Sequence, residues 1–416
     1  MAKIRRIFLI VMFSIFLTAC SKVKADTSFT IDEVPATSAD KLTIMHVDSN
    51  NEGVKEFFEE VGKELNIDIT VVESPINPDS RHAKISTLLA SGDDSVDIFT
   101  VNDEMISEFK NVGYIEQIGE DILANGELLG YPQDYIKQMI MKDNIPYSVP
   151  YRMDVLSLWV NQKWIEEAGL SNISSKKNFY EFLNQTWDDG KFSYGGAWEK
   201  TYVYNEIGEF ICLFGGDYYN WNDPKTREAI LFMKDLVING SSSEDQMLDQ
   251  YDQMNQKFIE GKYGMVFMFT GGMNTYLAAG VYGEDRIHMA ELPALGQRAT
   301  YIATWQYVLN GASKNKDAAK RFLKYVASKE GSIKYSVMSN SIPARLDIVN
   351  NEDLNITGIK EIKNYIKNTK LLARPIPQNS MTYIECFGGL FQKYITNEID
   401  LDEYCEQVQE LIDRNM

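Results

Sequence analysis

The sequence predicts an α/β protein of two lobes, with the chain passing between them several times. Three observations predict it. Residues 42–101 alternate strand-like and helix-like runs in the order βαβαβ, the signature of a parallel sheet with helices on both faces. The chain has 416 residues, 44% of them hydrophobic and 12% aromatic, enough for two domains of ordinary size with real cores. No Gly/Pro/Ser-rich linker and no internal repeat divides it, so the lobes are expected to share chain.

Each element has its own signal. Leu42 to Val47 reads as a strand. Val54, Phe57, Phe58, Val61 and Leu65 then recur at the spacing of one helix face,. Ile67 to Val72 is rich in β-branched residues and reads as a strand,. His82 to Ser91 is a helix that Gly92 stops, because glycine accepts the left-handed conformation at a helix end. Val96 to Val101 is the third strand. Two strand-like runs follow, around Ser148 to Tyr151 and from Val155 to Val160. Gln162 to Ala168 is helical, stopped by Gly169. An aromatic stretch runs from Trp187 to Trp221. Thr226 to Ile238 and Asp317 to Ala327 are helices, and Tyr263 to Phe269 and Ile302 to Leu309 are strands. The last helix opens on a capping box, Asp400 with Glu403,.

The amino terminus carries a different message. Lys3, Arg5 and Arg6 precede an apolar run from Ile7 to Leu17, broken only by Ser14. That run is shorter than the roughly 20 residues a membrane span needs. A cationic start, a short apolar core and small residues at the exit describe an export signal. The exit reads Leu17-Thr18-Ala19-Cys20-Ser21, which resembles the bacterial lipobox. The resemblance implies cleavage before Cys20 and diacylation of its thiol, and two chains anchor stably where one is marginal. Residues 1–19 are thus expected as a lipoprotein signal peptide. Residues 20–40 are polar and are expected as a lipidated tether.

Charge and composition exclude several function classes. The net charge is −19, and without the three cations of the export segment it is −22. Such a surface disfavours nucleic acid and anionic lipid as partners. Beyond Cys20, the cysteines are Cys212, Cys386 and Cys405, an odd set read as small buried apolar residues,. The three histidines, His46, His82 and His288, show no metal-ligand spacing. No nucleophile elbow, phosphate loop, dinucleotide fingerprint or His-Glu-x-x-His run occurs. Neither a metal, a cofactor nor an enzymatic activity is therefore expected.

Short segments in a fixed order carry a family resemblance. They are Leu88-Leu89-Ala90-Ser91-Gly92-Asp93, Val96-Asp97-Ile98-Phe99, Gly113-Tyr114-Ile115-Glu116 and Ser148-Val149-Pro150-Tyr151. Trp159-Val160-Asn161, Glu166-Glu167-Ala168-Gly169-Leu170, Phe258 to Met265 and Ala318 to Leu323 follow. Behind a lipobox, this order resembles the extracellular solute-binding proteins of ABC importers, in the group of maltose and oligosaccharide receptors. The resemblance implies a periplasmic-binding-protein-like fold of type II, with hinge-linked lobes and a ligand cleft between them. It places crossings near Asn144, Glu291 and Ser328. The N-terminal lobe then combines 41–143 with 292–328, and the C-terminal lobe 144–291 with 329–416. It implies a monomeric receptor that delivers a carbohydrate, an oligosaccharide or sugar derivative, to ABC permease subunits. The anchor points to the outer face of a cell membrane, best suited to a Gram-positive bacterium.

A sugar site needs planar polar groups for hydroxyl edges and aromatics for ring faces. His46, Asp48, Asn102 and Asp103 follow strands and are candidates, each equally suited to a cap or turn. Tyr151, Arg152 and Asp154 form a polar run between apolar strands. Tyr204 and Asn205, with Tyr202, lie in the aromatic stretch. Trp305 interrupts a strand, and Tyr383 matches a stacking position of the maltose branch. Arg345 reads as a lobe-stabilising ion pair. The family commonly has an aromatic after the strand ending at Phe269; here Met273 stands there, with Tyr276 one turn on, and a thioether covers a ring face less specifically. A second reading keeps the fold for a polyamine, a peptide or a phosphate ester, with Arg152, Arg345 and Arg374 for an anion. A glycoside-active surface enzyme and an adhesin are readings of other classes.

Overall fold

The computed structural model describes residues 39–415, apart from residues 76, 120–125, 352 and 378–379. The export segment, the lipobox Cys20 and nearly all of the tether lie outside the described residues.

The amino-terminal alternation folds as its pattern predicts. Strand Asp40–His46 pairs in parallel with Ile67–Glu73 on one side and Ile98–Val101 on the other. Helix Glu52–Leu65 turns Val54, Phe57, Phe58 and Val61 inward, and its Asn51 cap accepts from the Gly53 and Val54 amides. Helix Pro78–Ser91 ends at Gly92 with φ 67°, the left-handed stop expected of it. Alternation along the strands divides their neighbours between two cores. Ile44, Ile98 and Tyr307 pack with the Phe57 and Phe322 side. Met45, Phe99 and Val308 pack with Ile85 and Phe109.

Two long strands carry the sheet onward. The order runs Ile67–Glu73, Asp40–His46, Ile98–Val101, Ala299–Leu309, Val149–Asn161, Tyr263–Phe269, Phe192–Gly195. The two strand-like runs expected at 148–151 and 155–160 are one 13-residue strand, Val149–Asn161. Its first half pairs antiparallel with Ala299–Leu309, and its second half with Tyr263–Phe269. Arg152 and Asp154 break the apolar pattern but stay paired, and the ladder shifts register beside Arg152, where Trp305 pairs with Arg152 and Gln306 with Pro150. The same strand changes cores along its length: Val149 and Tyr151 lie in the Phe57 core, and Met153 onward in a third, larger core. That core gathers Trp159, Trp198, Trp221, Phe267 and Tyr404.

The last helix, Leu401–Asn415, starts where Asp400 accepts from the Glu403 amide at 2.9 Å. Cys212 and Cys405 are buried as expected, whereas Cys386 is exposed on helix Ser380–Ile395. No helix among the described residues is long and apolar enough to cross a membrane.

Candidate functional site

A cavity of about 620 Å³ opens where the amino-terminal cores face the third core. A hollow of about 290 Å³ beside Tyr180 and Leu231 lies elsewhere on the surface; the larger cavity is the candidate because polar and aromatic groups converge in it. Its walls are strand ends and the first turns of helices, where α/β folds place ligand sites, together with the middles of strands Val149–Asn161 and Ala299–Leu309. Asn77 and Arg81 come from the start of helix Pro78–Ser91, and Asn102, Glu104 and Met105 from that of Asp103–Val112. Tyr202, Tyr204 and Asn205 face them from the start of helix Tyr204–Phe214. Gln250, Tyr251 and Asp252 open helix Tyr251–Ile259, and Phe269 ends its strand. Asp154, Trp305 and Arg374 complete the lining.

A buried charge network stands in one wall. Arg374 donates from Nη1 to Glu104 Oε1 at 2.6 Å and to Asn205 Oδ1 at 3.2 Å. Its Nε and Nη2 reach Asp103 Oδ2 at 3.2 and 3.1 Å. Tyr204 donates its hydroxyl to Glu104 Oε1 and accepts from Arg374. Asp103 Oδ1 accepts from the Thr304 amide and Gln306 Nε2, each at 3.2 Å, and from the Tyr135 hydroxyl. Burial raises the Asp103 pKa, the Arg374 charge opposing it. Burial also works to raise that of Glu104, but Arg374 and the Tyr204 hydroxyl outweigh it, and Glu104 is held below its ordinary value.

Of the residues singled out from sequence, Asn102, Asp154, Tyr202, Tyr204, Asn205, Trp305 and Arg374 line this cavity. Asn102 also caps its helix, accepting from the Met105 amide at 3.4 Å. Trp305 has the Arg81 and Arg152 guanidinium carbons 4.8 and 5.3 Å from its ring centroid. Asp154 accepts from the Gly271 amide at 3.0 Å. It is shared with a second cavity of about 220 Å³ that Arg152, Met273, Asn340 and Ser341 also line.

The other candidates stand behind these walls. His46 is fully buried among Phe58, Tyr151, Tyr307 and Tyr335. Its Nδ1 accepts from the Asp48 amide at 3.0 Å, and its Nε2 lies 3.2 Å from the Tyr307 hydroxyl. Asp48 accepts from Arg152 Nη1 at 2.7 Å. Burial works to raise the Asp48 pKa, and Arg152 holds it low. Tyr151 stacks on Tyr307 at 4.4 Å. Asp103 is held as described. Tyr383 is buried, hydroxyl to hydroxyl with Tyr218 at 2.9 Å. Tyr276 is buried too, donating to Asn255 at 2.6 Å. Arg345 pairs with Glu127 and Asp347, the ion-pair role read for it.

Sequence reading missed Asn77, Arg81, Glu104, Gln250, Tyr251 and Asp252. Each opens a helix, and in sequence each looks like an ordinary first-turn residue. Only the topology brings four helix starts to one cavity. Among the described residues, no group of His, Cys, Asp and Glu is arranged to hold a metal ion.

Known proteins share this fold. A family model described as bacterial extracellular solute-binding protein matches residues 30–333. An uncharacterized ABC transporter extracellular-binding protein of Pyrococcus horikoshii is 23% identical over 245 residues, which is 55% of this chain and 53% of that protein. The chain thus spans about half the length of that relative. A putative binding protein of Brucella abortus is 22% identical over 329 residues, 72% of this chain and 76% of its own. Among solved structures, a solute-binding protein of Thermotoga lettingae bound with α-D-tagatose superposes with a TM-score of 0.76 at 18% identity, covering 90% of this chain and 99% of that one. Maltose-bound MalE3 of T. maritima gives 0.74 at 16% identity, with 90% and 100% covered. A Listeria monocytogenes substrate-binding protein in complex with cycloalternan gives 0.73 at 15%, with 90% and 98% covered.

Proposed function

We propose that this chain, which belongs to the bacterial extracellular solute-binding proteins, is the receptor of an ABC importer and carries a carbohydrate. The observation that supports this most is the lining of the 620 Å³ cavity. Tyr202, Tyr204, Tyr251, Phe269 and Trp305 offer ring faces, and Asn77, Asn102, Asp154, Asn205 and Gln250 offer edges for hydroxyls. That pairing of apolar faces with planar polar groups suits a sugar ring better than a wholly apolar or singly charged solute. The volume lies within the range of small-molecule sites. The related structures bound with maltose, tagatose and cycloalternan favour the same class.

In this reading the lobes are in outline 41–143 with 292–328 and 144–291 with 329–416, except that helix Lys329–Ser339 goes with the first, its Tyr335 lying in the Phe57 core. The hinge lies a few residues inside strands Val149–Asn161 and Ala299–Leu309, where their residues change cores. Ligand binding closes the lobes about that hinge, and the closed monomer docks on its permease. The amino-terminal pattern supports export and diacylation at Cys20, which holds the receptor beside the permease at high effective concentration. A Gram-positive cell surface is the setting that such an anchor serves best.

The test is a thermal-shift screen against mono- and oligosaccharides. A sugar at 100 times its dissociation constant stabilises the folded protein by about 2.7 kcal/mol. If no sugar raises the melting temperature, the carbohydrate assignment is wrong. Replacing Cys20 with Ala is expected to release the protein from the membrane fraction without altering affinity.

A further inference from the structure

We infer that the cleft opens along one flank only, because helix Asp103–Val112 and Arg374 form a seam that stays shut while the other flank parts; the inference rests on the two-lobed reading above. The helix gives Met105, Ile106 and Phe109 to one amino-terminal core, whereas Tyr204, Ile376 and Ile384 belong to the third core. Polar links join the two sides. Arg374 binds Asp103 and Glu104, and Tyr204 donates to Glu104. Ser380 Oγ donates to the Glu104 carbonyl at 2.6 Å, and Ser107 Oγ, further along the helix, to the Pro377 carbonyl at 3.0 Å. Asp103, Glu104, Ser107, Arg374 and Ser380 are all between 0 and 8% exposed.

The seam begins at the hinge. Asp103 accepts from the Thr304 amide and from Gln306 Nε2, and the ladder between Ala299–Leu309 and Val149–Asn161 shifts register between Trp305 and Gln306. A bulge of that kind bends its strand. A rotation moves each group in proportion to its distance from the axis. An axis through the bulge and along the helix start therefore leaves the seam nearly still. An axis in another direction pulls Arg374 from two buried carboxylates and bares a helix whose residues 103–107, 109 and 110 are all buried,. The rest of the cavity lining is built differently. Asn77 and Asp252 are exposed, so contacts between their helices compete with water. Helices Pro78–Ser91 and Tyr251–Ile259 are the lips that part, and solute enters between them.

The experiment places nitroxide labels on exposed sites of the Cys20→Ala chain and reads pair distances by pulsed electron paramagnetic resonance. One pair spans the seam, native Cys386 with Val112→Cys. The other spans the lips, Ser80→Cys with Gln256→Cys in a Cys386→Ser background. Cys212 and Cys405 are buried and stay unlabelled. Without solute, the lip distance is expected to spread over at least about twice the range of the seam distance. Whichever of maltose, xylobiose, tagatose and mannitol binds is expected to shorten and narrow the lip distance alone. Arg374→Met is expected to widen the spread of the seam pair. Equal spreads without solute, a seam distance that moves with a sugar as far as the lip distance, or a seam unchanged by Arg374→Met overturns the seam. The first two comparisons stand even where that variant fails to fold. A narrow seam and a broad lip that answer to no sugar overturn the carbohydrate reading and leave the seam in place.

Discussion

Protonating His46 should unfold this protein from within, and the structure sets the size of the effect. The imidazole is fully buried, and its Nδ1 accepts from the Asp48 amide. A proton on Nδ1 sets N–H against N–H there. Burial, with the Arg152 charge, brings its pKa from 6.5 to about 4, the Asp48 charge opposing. In the unfolded chain the ring titrates at its ordinary value, so between these two pH values the unfolded state holds more protons. Stability from this group is therefore full above pH 6.5 and is lost as pH falls through 4. The difference corresponds to about 3 kcal/mol in full, of which about 2.5 kcal/mol is gone by pH 4.5. His46→Asn keeps an acceptor near Nδ1 and removes the titration. It also leaves a gap among four aromatic rings, so the variant starts less stable at pH 8. Urea unfolding from pH 8 to 4.5 should show the gap between the two proteins narrowing by about 2.5 kcal/mol. A constant gap, or an imidazole NMR midpoint near 6.5 in the folded protein, refutes the argument.

Three further outcomes follow from buried groups. Burial pushes Glu206 up to about 7, against hydrogen bonds from Tyr194, Trp198 and the Ala197 amide; its contribution is full below pH 4.5 and is lost as pH rises through 7, about 3 kcal/mol. Glu206→Gln should flatten that limb in the same urea series, opposite in sign to His46. Arg374→Met leaves Asp103 and Glu104 buried without their counter-ion and should cost about 3–5 kcal/mol at pH 7, the loss shrinking toward pH 4 as the carboxylates take up protons; calorimetry at both pH values checks it. Gly388→Ala should cost at least about 1–3 kcal/mol, since a Cβ there lies 1.9 Å from the Lys200 carbonyl oxygen, and thermal melts with ligand present should show affinity little changed.

Periodicity made most elements readable in advance, and each failure has a physical cause. Helix Glu52–Leu65 and strand Ile67–Glu73 bury one face, so spacing reveals them. Strand Val149–Asn161 looked like two because Arg152 and Asp154 interrupt its apolar run. Their side chains have a place only because two cavities border that strand, which local pattern does not encode. In the site, Trp305 and Asp154 were legible as polar or aromatic interruptions of strands. Arg81, Glu104 and Tyr251 were not, since a first-turn residue acquires meaning only from what the fold sets opposite it. Cys386 misled because composition alone makes cysteine a core residue, whereas its helix turns Tyr383, Ile384 and Phe387 inward instead.

The place of strand Ala299–Leu309 also bears on when this molecule acquires shape. It lies between Ile98–Val101 and Val149–Asn161, and Phe322 and Tyr335 seal the same core. A chain emerging N-terminus first from a ribosome or a translocation pore thus exposes its opening 200-odd residues with a sheet that lacks its central strand. The missing pieces of that core come from Tyr307 to Tyr335. Such dependence on distant partners delays folding. Three-quarters of the polypeptide must be delivered before its first-made strands become a finished layer, which keeps the chain threadable for as long as it is being threaded.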